Sequence, residues 1–252
     1  MSTSPSPPPS KPTSTSTSIP TPKPPINIQI RLPTPTETHS PTFLLKTTNL
    51  INAAYSAPST TLLKPSKKRT TTKEVQTWLE SGEFHLAFAS SCHDDVGINN
   101  HQDGQQREGD PVGTIHVHVH TPTPPTTATE QVIPISEIGI LTVDPSSRSS
   151  GLGRALIAYA EDVAVAAAAA ASSVERQNVK TRIEVPAPRL HCESENGKEK
   201  KKRRRRYLKS WYEDLGYEVV GRRALGESVP RLASAFEEDV EILVMEKELG
   251  GQ

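Results

Sequence analysis

Cysteine is nearly missing: Cys92 and Cys192 are the only two in 252 residues. Two cysteines make neither a disulfide framework nor a four-cysteine zinc site, and they fit a reducing compartment. Aromatic residues are scarce at 4%, and none precedes Phe43. Long apolar runs are missing too. The longest mostly apolar stretch, around Val163–Ala171, is short and alanine-rich, whereas crossing a bilayer takes ~20 apolar residues. No apolar stretch opens the chain, so neither a secretory leader nor a membrane partner is expected.

Net charge is the last absence, and it is only an average. Lys and Arg number 29, as do Asp and Glu. Lys198–Arg206 reads KEKKKRRRR, eight basic residues and one acidic. The rest of the chain therefore holds 29 − 8 = 21 basic and 29 − 1 = 28 acidic residues. An acidic body thus carries one basic block. Such a block reads as a solvated loop, or as a nuclear import signal, which leaves the cytoplasm or the nucleus as the location. It contains no aromatics for base stacking, which argues against nucleic acid as a partner.

What is abundant is proline, 23 in all. In Met1–Pro25, 21 of 25 residues are Ser, Thr or Pro. Residues 1–25 cannot bury enough apolar surface to offset their ordering entropy, so they are read as a disordered tail. The remainder, residues 26–249, reads as one domain with polar insertions near 93–110, 121–130 and 187–203. Alternation predicts strands at Ile26–Leu32, Glu83–Ser90, Val112–His120, Ile135–Val143, Lys180–Val185, Tyr217–Gly221 and Val240–Glu248. Helices are predicted at Phe43–Ala54, Lys73–Glu80, Gly151–Ala171 and Arg205–Leu215. The order is mixed α/β.

The segment with the most chemistry is Glu137–Ala164, EIGILTVDPSSRSSGLGRALIAYAEDVA. A strand ends at Val143, and Arg148-Ser149-Ser150-Gly151-Leu152-Gly153 then opens a helix. The first amides of a helix have no internal acceptor, and with the helix dipole they suit an anion such as pyrophosphate. Glycines let a ligand approach the backbone closely. The spacing R-x-x-G-x-G is neither the dinucleotide fingerprint nor a Walker A loop.

Strand, then Val143-Asp144-Pro145-Ser146-Ser147-Arg148-Ser149-Ser150-Gly151-Leu152-Gly153, then helix, resembles the central motif of the GNAT superfamily of acetyl-CoA-dependent N-acetyltransferases. Trp211-Tyr212-Glu213-Asp214-Leu215-Gly216-Tyr217 resembles a second family segment, and Ile242–Lys247 is like the family's last strand. The resemblance spans roughly Ile26 to Leu249. It implies a mostly antiparallel central sheet flanked by helices, in a single N-acetyltransferase domain.

It implies site residues as well. Leu141, Thr142 and Val143 would offer backbone groups to the pantetheine arm of acetyl-CoA. Arg148, Ser149, Ser150, Gly151, Leu152, Gly153 and Arg154 would wrap the pyrophosphate. Serines 149 and 150 replace the family's common basic-glycine pair, keeping the amides but removing a charge. Glu137 is nominated as the base that deprotonates an amine acceptor, against the alternative of a partly exposed strand glutamate. Tyr212 is nominated to protonate the departing thiolate, against a packing role beside Trp211. The co-substrate would be acetyl-CoA, with no metal. The rival is a degenerate acyl-CoA-binding or nuclear interaction module.

Three further features stand outside the motif. His116, His118 and His120 share one strand face. They are read as groove-lining or solvated histidines in preference to a metal site. Cys192 has no activating neighbour in sequence. The run Ala166–Ala171 is read as helix propensity with little to pack. The acceptor's identity and the oligomeric state are not set by the sequence.

Overall fold

The computed structural model describes residues 27–56, 68–90, 109–120, 134–171, 179–188, 208–225 and 240–250. The elements run β1 (Asn27–Arg31), α1 (Pro35–His39), α2 (Pro41–Ser56), α3 (Thr72–Glu80), β2 (Phe84–Ser90), β3 (Pro111–Val119) and β4 (Ile135–Val143). Then come a 3-10 turn (Pro145–Ser147), α4 (Leu152–Ala171), β5 (Val179–Pro188), β6 (Glu218–Ala224) and β7 (Val240–Leu249). A helical turn at residues 208–213 precedes β6.

The seven strands form one sheet in the order β1-β2-β3-β4-β5-β7-β6. Every neighbouring pair is antiparallel except β4–β5. A parallel pair needs a long crossover, and α4 supplies it.

Side-chain alternation decides what covers each face. From β2, Phe84, Leu86 and Phe88 join Phe43, Leu44 and Ile51 of α2 and Val75 and Leu79 of α3. On the other face, Ala87, Ile115, Val117, Ile138 and Ile183 meet Leu152, Leu156, Ile157 and Ala160 of α4. Each such Val, Leu or Ile side chain, fully buried, is worth about 1.5–3 kcal/mol. The alanine run does pack in part: Ala168, with Ala164, is buried against Val179.

The predicted strands and long helices are present, with ends shifted by a few residues. Two differences have physical causes. β5 continues through Ala187 and Pro188 because β7 pairs with it along its whole length. The short α1 has no apolar stripe to betray it. A capping box starts it, the Thr34 hydroxyl accepting from the Glu37 amide while the Glu37 carboxylate accepts from the Thr34 amide. Arg31 donates two bonds, at 2.6 and 2.7 Å, to the same fully buried carboxylate. The insertion predicted near 93–110, except for Gly109 and Asp110, the one near 121–130, the tail and the basic block lie outside the described residues.

Candidate active site

The site begins with a defect in β4. Ile140 has φ of +45°, which a β-branched side chain adopts only under strain. The β3–β4 register shifts at the same level, between Thr114 and His116. Beyond this bulge β4 leaves β5. Their parallel pairing runs from Ile135–Lys180 to Ile138–Ile183 and stops. β4 goes on to Val143 beside β3, while β5 goes on to Pro188 beside β7. The sheet thus forks at its centre, and the β5-facing peptide groups of Gly139–Val143 have no strand partner among the described residues. Leu141 and Val143 pack towards α4. Thr142 points the opposite way, is 1% exposed, and its Oγ1 has no hydrogen-bond partner among the described residues.

The loop after β4 leads from this fork to α4. Asp144 caps the 3-10 turn by accepting from the Ser146 amide at 2.8 Å. Ser149 (φ +65°) and Gly151 (φ +88°) are left-handed, with Ser150 between them not. Backbone of alternating hand turns successive N–H groups into one concavity, a nest suited to an anion. The first amides of α4 adjoin it, and the helix dipole adds to the attraction.

Gly153 marks where a second segment meets this loop. A Cβ placed there would lie 3.5 Å from the Trp211 ring, so that ring covers the helix start. The two sequence motifs, 58 residues apart from Gly153 to Trp211, therefore meet in space.

Arg148 was expected beside the anion loop. Its Nη2 instead donates to the Ala54 carbonyl near the end of α2, at 3.4 Å, where a cation also favours the helix dipole. Arg154 is exposed on the first turn of α4.

Tyr212 lies in the helical turn at 208–213 and is 6% exposed. Its ring meets Trp211 edge-on at 4.8 Å and Tyr217 at 6.0 Å. Burial, with Tyr55 of α2 alongside, pushes its phenol far above the usual tyrosine range. It therefore stays a hydrogen donor throughout the physiological range.

Glu137 is on β4 two residues before the fork and half-exposed. Its carboxylate lies 3.4 Å from His120 Nε2 and 3.7 Å from Arg182 Nη1. Arg182 also donates to Glu246, at 2.7 and 3.0 Å.

The histidine row faces the α2–α3 side of the sheet, as the alternation with Val117 and Val119 requires. Sequence spacing did not reveal its partner. Glu83, just before β2, lies 2.6 Å from His118 Nδ1 and 3.3 Å from His116 Nε2. Residues 33 and 35 positions apart meet only through the β2–β3 pairing. Among the described residues no group of three or more His, Cys, Asp or Glu could hold a metal ion.

The family model for "Acetyltransferase (GNAT) family" matches residues 73–182, which include the fork and the nest. No curated protein matches the sequence. Several solved structures share the fold. Arabidopsis thaliana NAA60 in complex with acetyl-CoA superposes with a TM-score of 0.52 at 11% identity, covering 89% of this chain and 100% of that one. An aminoglycoside 6'-N-acetyltransferase complexed with coenzyme A gives 0.50 at 14%, covering 89% and 98%. Mosquito arylalkylamine N-acetyltransferase like 5b gives 0.50 at 14%, covering 88% and 100%.

Proposed function

We propose that this chain is an N-acetyltransferase of the GNAT family, acting on an amine of a small molecule or a protein; the family-model match over residues 73–182 supports this reading. The acetyl group comes from acetyl-CoA by direct attack in a ternary complex. The observation that carries this reading is the fork of β4 from β5 leading straight into the nest at Ser149–Gly151.

The residues present fit such a co-substrate. The nest and the first amides of α4 suit a pyrophosphate. The peptide groups along Gly139–Val143 that face away from β3 suit an amide-bearing arm laid in as a substitute strand. Acetyl-CoA supplies an activated thioester. The chain's own groups do the rest. An amine such as lysine has a pKa near ~10.4 and arrives protonated. Glu137 is the carboxylate the sequence nominates to receive that proton, and it stands on β4 two residues before the fork. Backbone amides near Val143 hold the acetyl oxygen as charge develops on it, the kind of preorganised donor that contributes most to such reactions. Tyr212, fixed as a donor, offers its O–H to the leaving sulfur.

The test is thiol release from acetyl-CoA over a panel of small amines and peptides. Turnover with at least one amine is expected. Acetyl-CoA binding with no release on any amine favours the non-catalytic module. Tyr212→Phe should depress kcat ~10²-fold, in the range for a lost acid or base, while leaving acetyl-CoA affinity within a factor of two. An unchanged kcat removes Tyr212 from the chemistry. Cytoplasmic or nuclear placement belongs to the same proposal. A fluorescent fusion whose distribution ignores replacement of Lys200–Arg206 by serine removes that run as an import signal.

A further inference from the structure

Glu83 organises two imidazoles at once. A carboxylate only accepts, so each nitrogen facing it carries the proton. His118 donates from Nδ1 to one oxygen, at 2.6 Å. His116 faces the other oxygen through Nε2, at 3.3 Å. The two rings are parallel, 3° apart in plane and 6.5 Å between centroids. His116 is thereby left with a bare lone pair on Nδ1. That atom faces Gly139, the strand position directly across from His116 in the β3–β4 pairing. A Cβ on Gly139 would lie 3.7 Å from it. Gly139 is the first β4 residue beyond the last β5 pair, so the lone pair looks over the mouth of the fork.

Resting on the acetyl-transfer reading, we propose that His116 is a catalytic base oriented by Glu83, taking the acceptor's proton directly on Nδ1. Glu137 lies two positions before Gly139 on β4, engaged by His120 and Arg182. It draws the cationic amine in and reaches the nitrogen only through water. The balance is simple. The ammonium gives one proton to His116, and the freed amine forms the C–N bond as the C–S bond breaks. The second nitrogen proton ends on the sulfur. The imidazolium, held by Glu83, returns its proton to water at the exposed end of the row. The titratable groups around His116 are Glu83 from before β2, His85 on β2, His118 on its own strand and Glu137 on β4. Burial lowers the His116 pKa and the two carboxylates oppose that, so the ring is a neutral acceptor at physiological pH.

The test has two readouts. In kinetics, His116→Gln should lower kcat/KM about 100-fold or more, the usual share of a general base, and abolish the acid limb of the pH profile. Glu83→Gln should cost about tenfold and move that limb to lower pH, since the carboxylate favours the imidazolium. Glu137→Gln should raise KM more than it lowers kcat. Unchanged acetyl-CoA affinity in each variant shows an intact fold. A larger kcat loss in Glu137→Gln than in His116→Gln, or an acid limb that survives His116→Gln, overturns the proposal. The second readout needs no activity. Nitrogen chemical shifts should show His116 as the Nε2–H tautomer in the native chain, altered in Glu83→Gln. An Nδ1–H tautomer overturns the dyad. That tautomer in place with no turnover on any amine overturns the acetyl-transfer reading instead.

Discussion

Two residues carry the local cost of the site, Ile140 and Ser149, both at positive φ without being glycine. Left-handed backbone costs an L-residue roughly 1–2 kcal/mol, and such strain persists where geometry matters to function. Ser149 is exposed, so relieving it should be visible. Ser149→Gly should stabilise the fold by up to ~1 kcal/mol in urea unfolding and leave acetyl-CoA affinity intact. Ser149→Val should weaken that affinity at least tenfold. Equal affinity in both variants would show that the left-handed turn does not shape the anion loop. The arginine and glycines of this loop were legible in the sequence as a spacing, and Tyr212 as part of a second motif. The attachment of Arg148 to Ala54 was not, because the end of α2 lies 94 positions away. Glu83 was hidden for the same reason.

At the scale of elements, β2 is tied to α4 by one buried polar contact. His85, 4% exposed, shares a hydrogen bond of 3.1 Å with the Tyr159 hydroxyl. Burial first, and then the neighbouring His116, lowers its pKa from 6.5 to about 4. Between those values the unfolded chain binds a proton that the folded chain refuses. Stability is therefore full above the unfolded value and falls as the pH drops through it. The contribution lost between neutral pH and about pH 5 is about 2 kcal/mol. His85→Phe should flatten that acid-side slope in urea unfolding at the two pH values. A slope identical to the native one would place the acid sensitivity elsewhere. Alternation made the strands readable, and good helix formers made α4 readable. Their pairing was not readable, because the parallel β4–β5 contact is non-local and stops after four residue pairs. The fork is a property of two strands and a bulge, so no single segment displays it.

At the scale of the whole molecule, one seven-stranded sheet gathers elements from Asn27 to Leu249. The zero net charge and the low hydrophobic share are averages over that body, a Ser/Thr/Pro segment and one basic run. Removing residues 1–25 should leave the unfolding midpoint and acetyl-CoA affinity unchanged, since no described element begins before Asn27. A lowered midpoint would give that segment a structural role. The central claim is that the fork and the nest form a binding site for acetyl-CoA. Isothermal titration of acetyl-CoA into the native chain and into Gly151→Glu tests it most directly. Gly151 has room around it but a φ of +88°, so the variant adds backbone strain and a negative charge at the anion loop. Saturable one-to-one binding by the native chain, lost in the variant while its unfolding remains cooperative, is the predicted result. Equal binding by both chains would contradict the assignment.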